Sequence, residues 1–426
     1  MWAKAVAFLM FMKLLDRVQQ FQDKDIVKLV GKYVFYLMLV MELLIVLWDK
    51  SMLPPLPEGR LFQITFALCL IKILTTRYNK REYLAIFIAF VFGFIIDQMS
   101  GHNEILRYFA FIASCKNIDM KKCLKLSFII TASGIVAIAL LSITGILGTV
   151  TVLKEYAGEG MLTRYCFGMG NANSFHCMVF STAILGMYIF EEKMHWWMYL
   201  LIVATNIGLY KLTDCKTATG MLVLAVLAMV MVKLLKSPSN KSQDTSFSGS
   251  NGVSIREIIL YVGSMMCMVV NTALVIISAT FAANAWKIYE FNWSRIEWNE
   301  DIEFWRRLND ALTGRILSLM NTDDRAGSML SWKWLPTAGH EEYFDLGYVR
   351  IFYWYGIIAA LLIILLLHIF NTYLVLEARY TELIFITIIA VYTLLEAHFV
   401  SVYIGRCWIV FIVGAYWTKM LKAKNN

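Results

Sequence analysis

A polar stretch at residues 283–345 closes on the sequence GHEEYFD, which supplies His340, Glu342 and Asp345. A histidine and carboxylates at a membrane surface can provide a general base and position a hydroxyl group. The structural alternative is a cap on the apolar segment that begins at Gly347. The chain has no HExxH motif, and its eight cysteines are scattered without a CxxC pair, so we predict no metal and no other cofactor.

Several cations outside this closing segment could bind an anionic substrate. Arg164 precedes GMGNANSF, and Lys216 precedes an apolar segment. Arginine suits a phosphate because its planar fork bonds two oxygens at once. Asn171 and Asn173 form an Asn-x-Asn pair, which we interpret as a helix cap with substrate contact. Arg350 lies inside an apolar segment, where a charge needs a partner or a water-filled cavity.

Residues 301–320 carry apolar side chains at spacings of three and four, which predicts one amphipathic helix on the membrane surface. Its other face shows Arg306, Asp310 and Arg315. For Arg306 we favour a solvated or headgroup-facing role, whereas Arg315 is a candidate for function.

The composition is that of a membrane protein. The 426 residues are 59% hydrophobic and 16% charged, with a mean hydropathy of +0.62. Apolar residues come in runs of roughly 15 to 25, long enough to cross the hydrocarbon of a bilayer as helix. We predict an all-α polytopic integral membrane protein with about twelve transmembrane helices and one large extracytoplasmic loop. The chain has a net charge of +8, but its basic residues lie in short loops between spans, where they set the orientation in the membrane. We therefore predict no nucleic-acid partner.

The predicted organisation follows from these runs. We expect the following segments: a cytoplasmic amphipathic segment at 1–32; spans one to eight within 33–235; a Ser/Gly-rich cytoplasmic linker at 236–257; span nine at 258–282; the large loop at 283–345; spans ten to twelve within 346–418; and a cytoplasmic tail at 419–426. The fourth span is the weakest, because it is short and contains Arg107.

Lysine and arginine set the orientation. With the N-terminus in the cytoplasm, most of them fall in segments on the inner side, in agreement with the positive-inside rule. Both termini are therefore predicted to be cytoplasmic, and the large loop extracytoplasmic.

Four segments taken in order resemble a known family. They are RYCFGMGNANSF before one span, DCKTATGMLVLAVL at the start of another, LTGR in the large loop and FDLGYVRIFYWYGII at the start of a late span. This ordered set is similar to the Wzy-type polysaccharide polymerases, which belong with the O-antigen ligase superfamily. The late position of a large extracytoplasmic loop is also similar, so the resemblance covers most of the chain.

The resemblance implies a metal-independent glycosyltransferase of the bacterial plasma membrane. It implies that oligosaccharide repeat units carried on undecaprenyl diphosphate are joined at the outer face, with a flippase and a chain-length regulator of the same pathway as partners. Arg164, Lys216 and Arg315 would hold the diphosphate, and Asp345 or His340 would orient or deprotonate the acceptor.

Two alternatives stay open. The resemblance implies a His-Asn pair just before the late span in ligases of the superfamily, whereas this chain has Asp345 and Leu346 there. That departure favours a polymerase over a ligase and leaves the identity of the base undecided. The other alternative is a flippase or transporter of lipid-linked oligosaccharide, which would concentrate polar groups and broken helices at mid-bilayer.

Overall fold

The structure is a computed structural model that describes residues 19–156, 160–236, 255–321, 325–397 and 400–422. Residues 157–159, 322–324 and 398–399, which fall within the predicted spans one to eight, the large loop and spans ten to twelve, lie outside the described residues. Three predicted segments have larger parts outside them. They are the first eighteen residues of the N-terminal segment, most of the Ser/Gly-rich linker and the last four residues of the tail.

Helices dominate the described chain and comprise 76% of it. Their bounds are α1 Asp25–Asp49, α2 Glu58–Leu74, α3 Lys80–Ser100, α4 Glu104–Ser114, α5 Met120–Ile143, α6 Ala172–Ile189, α7 Trp196–Thr213, α8 Lys216–Lys236, α9 Ile255–Asn292, α10 Glu300–Ala311, α11 Arg315–Ser318, α12 Gly347–Leu376, α13 Tyr380–Leu395 and α14 Trp408–Lys422.

Seven of the described helices, namely α1, α3, α5, α6, α8, α9 and α12, are long and apolar enough to cross a membrane. Each apolar run supplies its own backbone hydrogen bonds once it is helical, which is the condition for a segment surrounded by lipid. The expectation of an all-α membrane protein is confirmed at this level. Helix α13 is apolar but shorter, at sixteen residues.

A small β-hairpin interrupts the helices, and the sequence did not predict it. Strand β1, Thr151–Tyr156, pairs antiparallel with β2, Gly160–Tyr165. In this register Val152 lies opposite Arg164. The hairpin therefore fixes the backbone of a candidate site residue.

The chain divides into two compact units. The first contains α1, α2, most of α3, α4, the first part of α5 and α14. Its core includes Phe111, whose ring centroid lies 4.8 Å from that of Phe411. Arg107, the residue that weakened the fourth predicted span, is buried here. Its Nη2 lies 3.2 Å from Oε1 of the fully buried Glu42, so the charge has the partner that a buried cation requires.

The second unit contains the rest of α5, the hairpin and α6 to α13. Its core includes Phe180 against Tyr392, with ring centroids 4.6 Å apart. Helix α12 is broken at Gly356, which has φ +75° and ψ 165°. The break frees backbone N–H groups, and the large loop satisfies them: Ile357 donates to the carbonyl of Lys333 at 2.8 Å.

The predicted amphipathic helix at 301–320 is wrong as a single element. Helix α10 ends at Ala311, and the short helix α11 starts at Arg315. Between them Thr313 has φ +56° and Gly314 has φ +83°, so the backbone enters the left-handed region and changes direction. This turn moves Arg315 from an expected surface face into the interior, where it is 6% exposed.

Candidate active site

The candidate site is built around the short turn between α7 and α8, residues 213–217. Helix α7 ends at Thr213, and Asp214 adopts the left-handed conformation with φ +47°, which directs the chain into α8 at Lys216. We call this segment the 213–217 turn. Two buried arginines hold its two ends.

Arg164 holds the first end of the 213–217 turn. Its Nε donates to the carbonyl of Thr213 at 2.6 Å, and its Nη2 donates to Oδ1 of Asn173 at 2.7 Å. Asn173 lies in the first turn of α6, and Asn171 caps that helix by accepting from the backbone N–H of Asn173 at 2.9 Å. Arg164 is only 1% exposed, so it ties the hairpin to α6 and α7 from the interior.

A polar network inside the second unit supports the same end of the turn. His176 is fully buried, with Nδ1 2.8 Å from Oγ1 of Thr213 and Nε2 2.8 Å from Oδ1 of Asn206. Asn206 also donates from Nδ2 to the carbonyl of Thr219 at 3.1 Å. Buried polar groups linked in this way fix the relative positions of α6, α7 and α8.

Arg315 holds the second end of the turn. Its Nη1 donates to Oγ1 of Thr217 at 2.9 Å, and its Nη2 forms a close ion pair with Glu396. On the other side, its Nε lies 3.8 Å from Oδ2 of Asp345. One guanidinium thus joins the start of α8, the end of α13 and the segment before α12.

The charge state of Arg315 follows from these neighbours. Burial alone disfavours the charged form, but the carboxylates of Glu396 and Asp345 outweigh it and raise the pKa of Arg315 above its ordinary value. The guanidinium is therefore a permanent cation in the site.

Arg350 holds the backbone of the segment that precedes α12. It is buried in the first turn of α12, and it donates from Nη2 to the carbonyl of Phe344 and from Nη1 to the carbonyl of Val400 at 3.0 Å. Phe344 directly precedes Asp345, and Val400 follows Glu396 by four residues. Arg350 consequently fixes the backbone beside Asp345 and ties it to Val400.

Three of the predicted residues, Asp345, Lys216 and Asn171, are exposed and available to a substrate. Asp345 keeps 63% of its side chain exposed while it faces Arg315. Lys216 is exposed at the start of α8, and no carboxylate within the described chain lies within ion-pair distance of it. Asn171 is also exposed. The exposed groups thus differ from the buried arginines, whose donors are already directed at the protein.

His340 and Glu342 lie in a different set of contacts. The Nδ1–H of His340 donates to the carbonyl of Tyr353 at 2.8 Å, and the two rings stack with centroids 4.2 Å apart. The backbone carbonyl of Glu342 accepts from Nε1 of Trp354 at 3.0 Å. No contact seen among the described residues joins His340 to Arg315 or Asp345, so the structure does not bring this histidine into the ion-paired group.

Several residues of the arrangement were not among the sequence-based candidates. Glu396 is the close partner of Arg315, although 81 positions separate them, and nothing in its local sequence indicates this pairing. His176 gave a usable signal, since a histidine inside an apolar span needs polar partners. Thr217, next to Lys216, carried no signal of its own.

The complete arrangement is a polar patch with a buried cationic centre, an exposed carboxylate and an exposed amine. It can bind an oxyanion at its surface and accept a proton at Asp345. No protein-family model matches this chain, and neither a curated protein nor a solved structure matches it.

Proposed function

We propose that this chain is a membrane-bound polysaccharide polymerase that joins oligosaccharide repeat units carried on undecaprenyl diphosphate. The proposal combines the four ordered sequence segments with one structural observation. That observation is the buried Arg315, held between Glu396 and the exposed Asp345 and bonded to Thr217 beside the exposed Lys216. Three of the four resembling segments supply Arg315, Asp345, Thr217 and Lys216, whereas Glu396 lies outside all four.

The reaction follows from the chemistry of such a patch. A hydroxyl group of the incoming unit attacks the anomeric carbon of the sugar that is bonded to the diphosphate. A new glycosidic C–O bond forms, the C–O bond to the diphosphate breaks, and the diphosphate departs with the electron pair. Asp345 takes the hydroxyl proton, and Lys216 bonds the departing diphosphate. No metal ion and no nucleotide takes part in this mechanism.

The buried arginines have a supporting role in this proposal. Arg164 and Arg350 hold the backbone of the 213–217 turn and of the segment at Asp345. Arg315, whose charge is offset by Glu396 and Asp345, holds Asp345 in place and, through Thr217, the start of α8 beside Lys216. His340 remains the alternative base, and Asn171, Asn173 and Glu342 remain candidates for sugar contacts.

The membrane topology is part of the same proposal. We infer twelve spans, with both termini in the cytoplasm of a bacterial cell and the loop at 283–345 outside. Each of the twelve predicted segments lies at least partly in a described helix, which supports this count. The distribution of lysine and arginine supports the orientation.

The decisive test is polymerisation by the purified chain with lipid-linked repeat units, with products separated on a gel. We expect a ladder of products, and we expect it in the presence of EDTA. Asp345→Asn should lower the rate by about a hundredfold or more, because it removes the proton acceptor. Lys216→Gln should weaken substrate binding by about tenfold, the effect of losing one charged hydrogen bond.

Matched variants separate chemistry from local damage. Lys211→Gln removes an exposed charge near the end of α7, and Glu341→Gln removes one from the segment before Asp345. Both should retain activity close to that of the unmodified chain. Wild-type rates for Asp345→Asn and Lys216→Gln, or strict dependence of the ladder on a divalent ion, would contradict the mechanism.

The break in α12 favours one second candidate, a flippase or transporter of lipid-linked oligosaccharide. Discontinuous helices at mid-bilayer form the binding sites of many transporters, and Gly356 breaks an apolar helix of thirty residues. Proteoliposomes loaded with a fluorescent lipid-linked unit distinguish the two functions. Movement of the label to the opposite leaflet with no ladder would favour transport over polymerisation.

A further inference from the structure

A cavity at one end of the first unit is separate from the residues of the proposed transfer site. It has a volume of about 890 Å³, within the range of small-molecule binding sites. Seven cationic side chains and three carboxylates line it. Every lining residue belongs to the first unit.

The carboxylates of this cavity already have partners. Each one lies within ion-pair distance of a lining cation, and the pairs are Asp23 with Arg77, Asp25 with Lys28, and Glu82 with Lys116. Four lining cations then have no carboxylate partner within the part of the chain that the structure describes. They are Lys32, Lys72, Lys80 and Lys422.

Lys72 is the most informative of the four. It is 4% exposed, and its stem packs against Gly31, where an added Cβ would lie 3.5 Å from the lysine Cδ. Its Nζ donates to Oγ1 of Thr76 at 2.7 Å, so a neutral hydroxyl is its bonded partner. A buried ammonium with a neutral partner retains attraction for an anion that enters the cavity.

The helix ends around the cavity do not cancel this charge. Helices α2, α4 and α14 end here, and α1 and α3 begin here. Each end carries about half an elementary charge of opposite sign, so three C-termini and two N-termini nearly balance. The four lysines therefore leave a net positive cavity at one end of the helices, where a membrane surface would lie.

We propose that this cavity binds a phosphate group carrying about two negative charges. Lysine binds phosphate as a point charge. Four lysines without a carboxylate partner among the described residues suit a multiply charged anion better than a single carboxylate. The volume leaves space for the group that bears the phosphate. Two sources share this chemistry, the phosphomonoester headgroup of a membrane lipid and a soluble phosphate compound.

Thermal unfolding of the purified full chain tests the proposal, with intrinsic tryptophan fluorescence as the readout. The probes are short-chain phosphatidic acid and inorganic pyrophosphate, with phosphatidylcholine and sodium chloride of equal ionic strength as controls. We expect a saturable rise in Tm with at least one phosphate probe and none with the controls. A rise with phosphatidic acid alone identifies a lipid headgroup, and a rise with pyrophosphate identifies a soluble compound.

Three variants locate the binding. Lys72→Met and the double variant Lys32→Gln/Lys80→Gln should each raise the apparent Kd by about tenfold or more. The double variant alters only exposed side chains, so it gives a result even if Lys72→Met does not fold. Lys125→Gln is the matched control, because this exposed lysine lies near the start of α5 and does not line the cavity.

Two results would overturn the proposal. One is the absence of any saturable Tm rise with either phosphate probe. The other is an equal Kd in the unmodified chain, the double variant and Lys125→Gln. Neither result bears on the polymerisation assay, since the cavity and the transfer site use different residues.

Discussion

The buried arginines are the residues that give the second unit its polar organisation. A guanidinium taken out of water loses several kcal/mol of hydration and must recover it from partners. Arg350 recovers it from two backbone carbonyls and Arg164 from a backbone carbonyl and an amide oxygen. Arg315 recovers it from two carboxylates and two hydroxyl groups. These contacts make Arg315 the member of the group that is most sensitive to loss of a partner.

The pair of Arg315 and Glu396 allows a direct measurement. Arg315→Gln should reduce the free energy of unfolding by about 3 kcal/mol, because it leaves the carboxylate of Glu396, which is only 18% exposed, without its close cation. Adding Glu396→Gln should recover most of that loss. The measurement is a double-mutant cycle of unfolding in mixed micelles.

An exposed arginine supplies the control for that cycle. Arg307 keeps 79% of its side chain exposed in its ion pair with Glu303, so Arg307→Gln should cost less than about 1 kcal/mol. Strictly additive effects of the Arg315 and Glu396 substitutions would show that the two residues do not interact as described.

At the scale of elements, the turns at two glycines decide where the site residues lie. Gly314 ends the predicted surface helix and lets α11 start at the buried Arg315. Gly356 breaks α12 where the backbone of Leu335 and Pro336 approaches. Both glycines have positive φ, but only Gly356 has close backbone neighbours, so their substitutions should differ.

Alanine substitutions distinguish strain from steric conflict. Gly314→Ala has open space around its Cβ and should cost about 1–2 kcal/mol from the left-handed backbone alone. Gly356→Ala should cost more, because its Cβ would lie 2.8 Å from the carbonyl carbon of Leu335 and from the nitrogen of Pro336. The readout is the free energy of unfolding of each variant.

A third glycine provides a control substitution. Gly220 lies inside α8 with open space around it and no positive φ, so Gly220→Ala should stabilise the chain by about 0.5–1 kcal/mol. If Gly314→Ala destabilised the chain as much as Gly356→Ala, the approach of the loop to the α12 break would not be the cause.

The sequence predicted the apolar helices well because their cause is local. A run of apolar residues determines both the helix and its length, and seven of the described helices are long and apolar enough to cross a membrane. Periodicity was misleading at 301–320, since it reports which face is apolar and does not report where a glycine adopts positive φ. The same pattern failed to show that α9 continues to Asn292.

The candidate site was predictable only in part. Arg315 was predicted from the family resemblance, Arg164 as a guanidinium suited to an anion at the outer surface, and Asp345 as a carboxylate at the start of a span. Their roles as buried braces or exposed groups depend on tertiary contacts across many tens of residues, such as Arg350 with Val400. A local sequence pattern contains no information about such pairs.

At the scale of the whole molecule, the two proposals lie in different units. The transfer site uses residues of the second unit, and the phosphate cavity uses residues of the first. Substitutions in one are therefore expected to leave the other measurable. This separation lets a polymerisation assay and a binding assay fail independently.

The inferred orientation of the chain can be tested with an impermeant maleimide on membrane vesicles of known sidedness. All eight native cysteines are buried or half-buried, so background labelling should be low. Leu330→Cys replaces a side chain that is 91% exposed in the large loop, and Lys121→Cys replaces an exposed one at the start of α5. Leu330→Cys should react in right-side-out vesicles and Lys121→Cys in inverted vesicles, because the positive-inside rule places the lysine-rich end in the cytoplasm. The opposite labelling pattern would show that the chain has the reverse orientation in the membrane. The transfer site would then lie on the other side from the face where the proposed reaction joins lipid-linked glycans.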